Sequence, residues 1–178
     1  MGADVLEPPP VEADSLPDRE SLFPPAVLDI LASPDEVAVL SVDPHLPDQD
    51  WDDGDEDRED DDPPMREGPG FIRGYRIRGV ARVPTADRRW AVGQALAAAN
   101  REGFGLALCF DPHYAVRAAR GGRVAEFLIC FACGNVRVTG PGSHAGTYPI
   151  GRSAARLLRR ELRRGGVGWL WFWRRWLG

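Results

Sequence analysis

A run of acidic residues inside the chain limits what the rest of it can fold into. Residues 47–64, PDQDWDDGDEDREDDDPP, carry eleven carboxylates and one arginine. Charges at this density repel one another and leave little apolar surface to bury, so the run is expected to be a solvated insertion without regular structure. A calcium loop would need an apolar position and a terminal Glu at fixed spacing, and the run lacks both. Residues 1–20 mix Pro, Glu and Asp with few large apolar groups and are expected to be disordered. Of the 178 residues, about 120 remain for a packed body, a common domain size. The expected organisation is one domain over residues 21–166, interrupted by the acidic insertion at 47–66 and followed by a Trp/Arg-rich tail at 167–178.

Charge divides along the same line. Residues 1–64 hold 21 of the 27 acidic residues and two arginines, a net of −19, whereas residues 65–178 hold six acidic residues and 20 arginines, a net of +14. The total of −5 therefore hides an acidic half and a basic half. Every basic residue is arginine. The start MGADVLEPPP has no basic segment followed by an apolar one, and no apolar run reaches the ~18 residues of a membrane span. The chain reads as cytoplasmic, where its three cysteines are expected to be reduced thiols.

Hydrophobic periodicity outlines the body. PPAVLDILA, residues 24–32, opens with prolines suited to a first helical turn and reads as a short helix. VAVLSVDP, residues 37–44, alternates and reads as a strand. FIRGYRIRGVARV, residues 71–83, reads as one long strand, bent or bulged at Gly74 or Gly79. A helix follows over residues 85–102, with Thr85 as N-cap, Val92, Leu96 and Ala99 in its apolar stripe, and Gly103 as C-cap. LALCF, residues 106–110, reads as a strand, and YAVRAARGGRVAEFLICF as a hairpin turning at Gly121-Gly122. FLICF is apolar throughout and should be a central strand. VRV is a further strand after a turn at Gly134-Asn135, residues 140–147 a loop, and residues 152–164 a basic amphipathic helix ended by Gly165-Gly166. The expected fold is α+β, an antiparallel sheet of about five strands with one face packed against two main helices, residues 85–102 and 153–164.

Residues 109–133, CFDPHYAVRAARGGRVAEFLICFAC, contain all three cysteines. The pattern Cys109, Phe110, Pro112, His113, Val116, Arg117, then Gly122, Glu126, Ile129, Cys130, Phe131 and Cys133, resembles a family of small bacterial proteins with the motif CFxP[HR]HG[IL]R … [DE]LVICFxC. The similarity extends more weakly from about Leu28 to about Val167. Tyr114 stands where that family commonly has a second His, and Ala132 where it often has an acidic residue. The resemblance implies no particular activity.

By spacing alone, Cys109, His113, Cys130 and Cys133 have the formula of a Cys3His zinc site. In an extended strand, however, residues three apart point to opposite faces, so Cys130 and Cys133 meet only if the backbone turns at residues 132–134. Otherwise Cys109 and Cys130 are small buried hydrophobes on neighbouring strands. A redox pair at Cys130-Phe-Ala-Cys133 is disfavoured because no helix N-terminus follows to stabilise a thiolate. His45, His113, Ser143 and His144 are the remaining candidates for hydrolytic chemistry, but no nucleophile elbow accompanies them. Arg152, Arg156, Arg159, Arg160, Arg163 and Arg164 cover the exposed sides of the last helix and are candidates for holding anions. The tail carries Trp169, Trp171, Trp173 and Trp176, enough apolar area to pack on the body, self-associate or bind a protein partner, with interfacial membrane contact as the alternative. The leading expectation is a non-enzymatic binding or interaction domain. A structural zinc protein is the alternative, and arginine-mediated binding to nucleic acid or an anionic membrane surface the weaker one, with nucleic acid the less favoured partner.

Overall fold

The computed structural model describes residues 20–44, 68–103 and 109–167. Apart from Glu20 and Val167, the expectations for residues 1–20, 47–66 and 167–178 lie outside the described residues. The described chain runs α1 (Pro25–Ala32), β1 (Glu36–Val42), β2 (Phe71–Ile72), β3 (Tyr75–Arg82), α2 (Ala86–Glu102), β4 (Tyr114–Arg120), β5 (Arg123–Cys130), β6 (Asn135–Gly140), a 3-10 turn (Pro141–Ser143), β7 (His144–Pro149) and α3 (Ala155–Arg164). The fold is α+β, as expected. Its antiparallel sheet has seven strands in the order β2-β3-β1-β4-β5-β6-β7 and curls into a half-barrel.

The curl has a local cause. Between Ser41 and Val42 the β1–β3 register slips, with Ser41 opposite Gly79 and Val42 opposite Ile77, so Arg78 is the extra residue. Such a bulge bends the strand and increases its twist. Beyond it, what reads in the sequence as one long strand is a hairpin: β2 and β3 pair through Phe71 with Arg76 and Ile72 with Tyr75, around a two-residue turn at Arg73-Gly74. Both turn residues have positive φ, 50° and 81°, the backbone that a tight hairpin requires. The turn folds over the sheet far enough for Arg73 Nε to donate to Glu126 Oε2 on β5, at 3.0 Å.

Two apolar clusters lie on opposite faces. The larger one sets strand residues such as Val39, Val116, Phe127, Ile129 and Val138 against Val27, Ile30 and Leu31 of α1, Val92 and Leu96 of α2, and Leu158 and Leu162 of α3. Phe127 is fully buried there, worth about 2–3 kcal/mol of transfer free energy. The smaller cluster gathers Leu40, Val42, Ile72, Tyr75, Ala115 and Leu128, with Phe110 packed against it. Residues 127–130 of FLICF are thus part of β5, an interior strand covered on both faces, and Phe131 begins the turn that follows. Gly93 permits a close crossing of α1 and α2, because a Cβ there would collide with the Leu31 carbonyl oxygen.

Buried polar groups join elements that the sequence keeps apart. Asn100 accepts from Ser21 Oγ and Leu22 N through Oδ1, each at 2.7 Å, and donates through Nδ2 to the Pro149 carbonyl at 2.7 Å. Glu161 on α3 is only 2% exposed and is paired with Arg88 of α2 and with Arg164 of its own helix. Asp29 of α1 clamps the β4–β5 hairpin by accepting from Arg120 at 2.5 Å and pairing with Arg123.

Among the described residues the sheet has seven strands where about five were expected, and three helices pack on it where two were expected. Residues 140–147, expected as a loop, contribute the last residue of β6, the 3-10 turn and most of β7, whose Tyr148 packs edge-on against Phe23 at 5.5 Å. Residues 109–110 are not strand, and 104–108 lie outside the described residues. The short helix expected at residues 24–32 is present as α1, and it packs on the sheet beside the other two.

Arg88→Ala leaves a buried carboxylate with only the arginines of its own helix and is expected to cost about 2 kcal/mol in chemical denaturation. Arg88→Ala/Glu161→Leu, which also removes the buried charge, should regain most of that loss. The hydrogen bond from Arg123, with the Arg120 and Arg123 charges, holds the Asp29 carboxyl below its usual range against a smaller opposing effect of burial. Its contribution is therefore present above the unfolded carboxylate value of about 4 and is lost as pH falls through the lower folded value. Asp29→Asn should lower the melting temperature at pH 7, and the gap to wild type should close under acid conditions.

Candidate functional site

The Cys130–Cys133 pair and the backbone of Cys109 lie at one rim of the sheet, where β5 turns into β6. Cys130 is the last residue of β5, and the chain reverses through residues 131–134 before β6 begins at Asn135. Gly134 makes the reversal possible, with φ of 69°. The turn brings the Cα atoms of Cys130 and Cys133 to 5.3 Å, and their sulfurs are joined as a disulfide. This corrects the expectation of three reduced thiols. In an extended strand the two side chains would diverge, but the reversal places them on the same side. The Cys133 N–H also donates to Cys130 Sγ at 3.1 Å. Arg152, just ahead of α3, holds the turn from outside by donating from Nε to the Phe131 carbonyl at 3.3 Å.

Cys109 reaches the same rim by another route. Phe110 is anchored on the smaller cluster, edge-on to Tyr75 with ring centroids 6.4 Å apart, and the Arg137 guanidinium stacks over it at 4.1 Å. Burial pushes the Tyr75 phenol above its ordinary value, against the opposing Arg137 charge. Asn135 then donates from Nδ2 to the Cys109 carbonyl at 3.3 Å, and Asn135 is the direct cross-strand partner of Cys130. Cross-strand partners project to the same face, so the Cys109 backbone lies beside the end of β5 that carries the disulfide. Cys109 itself is a free, exposed cysteine, not a buried hydrophobe, whereas Cys130 is buried.

His113 does not complete a cluster with these sulfurs. Its Nε2 lies 3.6 Å from Asp111, and its carbonyl accepts from the Val42 N–H. Among the described residues no group of three or more His, Cys, Asp and Glu side chains is arranged to hold a metal. Zinc needs deprotonated ligands surrounding one point, and the sulfurs of Cys130 and Cys133 are bonded to each other. The four residues as they stand therefore do not fit that ion.

The other candidates are dispersed. His144 pairs through Nε2 with the Tyr148 hydroxyl at 2.7 Å, and burial pushes the Tyr148 phenol up. His45 lies outside the described residues. Of the six arginines, Arg152 is held at the Phe131 carbonyl, and Arg160 and Arg164 lie 4.0 and 3.1 Å from Glu161. Arg156, Arg159 and Arg163 are exposed on α3. Asn135 and Arg152 were missing from the sequence reading of the cysteine motif. Only Asn135 left a signal there, as the residue after Gly134 at a strand start. No helix among the described residues is long and apolar enough to cross a membrane.

The turn gives a third prediction. An alanine Cβ at position 134 would meet nothing closer than the Ile150 carbonyl at 3.8 Å, so the cost of Gly134→Ala is confined to its left-handed backbone. That cost is expected to be about 1 kcal/mol in urea denaturation. A change within error would mean that the reversal does not depend on this residue.

No protein-family model, no curated protein and no solved structure matches this chain.

Proposed function

We propose that the chain is an interaction domain that presents the outer face of α3 to an acidic segment of a protein partner. The observation that carries this reading is the distribution of charge on that helix. Leu158, Glu161 and Leu162 face inward and are buried, whereas Arg156, Arg159, Arg160, Arg163 and Arg164 are exposed. The buried Glu161 engages Arg160 and Arg164, but among the described residues no carboxylate pairs with Arg156 or Arg159. Guanidinium groups in this arrangement suit carboxylates, which they can hold with paired N–H donors. The chain's own eleven carboxylates at residues 47–64 are a competing ligand of the same chemistry. This supports a weak, salt-sensitive contact in the full-length protein.

Binding of a fluorescent polyglutamate peptide to the full chain, followed by anisotropy at low salt, tests the reading. Arg156→Glu/Arg159→Glu should weaken binding about tenfold. Deleting residues 48–62 should strengthen it, and raising the salt should abolish the difference. Absence of peptide binding to the deletion variant at low salt would reject the proposal. A preference for duplex DNA or anionic vesicles over the peptide would replace the protein partner with one of those polyanions.

A further inference from the structure

The three cysteines form a graded series of exposure at a single rim. Cys109 is exposed, Cys133 is half-buried, and Cys130 is 1% exposed. An external molecule can reach the first, reaches the second with difficulty, and cannot reach the third. The Asn135 side chain ties the Cys109 backbone to the strand pair that ends in Cys130, at 3.3 Å. The Cys133 N–H donates to Cys130 Sγ at 3.1 Å, so the sulfur reached last is held by a donor of its own turn. Arg152 adds a cation at the carbonyl of Phe131, inside the same turn.

We propose that Cys109, Cys133 and Cys130 act in that order as a thiol–disulfide relay that reduces low-molecular-weight disulfides. The structure records its oxidised end state. From the fully reduced protein, Cys109 loses its proton to solvent and its thiolate attacks one sulfur of R–S–S–R. A Cys109–S–S–R bond forms, the R–S–S–R bond breaks, and the departing RS⁻ takes up a proton. Cys133 loses its proton to water, and its thiolate attacks the Cys109 sulfur, forms a Cys109–Cys133 bond and releases the second RS⁻, which takes up a proton. Cys130 likewise loses its proton to water, and its thiolate attacks Cys133 Sγ, closes the Cys130–Cys133 disulfide and returns Cys109 as a thiolate, which is reprotonated from water. Two electrons pass from the Cys130/Cys133 dithiol to the external disulfide, which leaves as two thiols. An external thiol reductant resets the pair by the reverse exchanges.

The test uses the fully reduced full-length protein and bis(2-hydroxyethyl) disulfide, with acid quench, alkylation and peptide mass spectrometry over time. In wild type, Cys130–Cys133 should close while Cys109 ends as a free thiol. In Cys133→Ser, the hydroxyethyl adduct, or a Cys109–Cys130 bond derived from it, should accumulate on Cys109. In Cys109→Ser and Cys109→Ala, closure of Cys130–Cys133 should slow about tenfold or more. Substitution at this exposed position is not expected to disturb folding, and circular dichroism checks it. Closure at the wild-type rate in either Cys109 variant would overturn the proposal. So would an adduct found first on Cys130 or Cys133 in wild type.

Discussion

The two-against-one step between β1 and β3 sets up the rest of the molecule. A flat sheet would expose one face to water and bury the other under helices. The bulge at Arg78 instead bends β3 and swings the β2–β3 hairpin over the sheet, so that Ile72 and Tyr75 cover Leu40, Val42 and Leu128. That second interior gives Phe110 a place to bind. Phe110 in turn draws the segment from Cys109 to His113 back across the sheet, beside the end of β5. The meeting of the three cysteines at one rim therefore depends on curvature generated at the other side of the sheet. The ion pair from Arg73 to Glu126 spans the curl and marks how far it goes.

The helical face follows a different logic. Three helices pack on one surface by apolar contact, but their mutual positions are fixed by polar groups that have few alternatives. Asn100 satisfies one backbone donor, one backbone acceptor and one hydroxyl from two distant segments. Glu161, out of contact with water, requires a cation from α2. Apolar packing tolerates small sliding motions, whereas a buried carboxylate does not tolerate losing its partner. The hydrophobic residues thus supply the driving force, and a few polar residues select one arrangement among several of similar burial.

Most of the local elements were legible in the sequence, because each is encoded by its own period and punctuation. The hairpin at Gly121-Gly122, the helix from Thr85 to Gly103 and the Gly165-Gly166 helix end are of this kind. What was not legible depended on contacts between distant residues. Residues 71–83 carry a strand pattern throughout, and only the crossing over the sheet distinguishes a hairpin at Arg73-Gly74 from one bent strand. β7 is poor in branched apolar residues, and its pairing to β6 makes it a strand. At the candidate site the cysteines were visible, and so was the requirement for a turn at residues 132–134. The contacts that hold the turn and bring the Cys109 backbone beside it, from Arg152 to the Phe131 carbonyl and from Asn135 to the Cys109 carbonyl, exist only in three dimensions.

The end of α3 has a mechanical consequence. Val167 is held by its N–H to the Leu162 carbonyl, and its side chain fills the space left by the missing Cβ of Gly79 on β3. The polypeptide that continues to residue 178 is therefore fastened to the sheet as well as to the helix from which it emerges. A pull on that extension meets the wedge of Val167 against β3 at Gly79, the residue opposite Ser41 of β1. The load path therefore enters the sheet at Gly79, and the C-terminal end of α3, with its exposed arginines, is held against that strand.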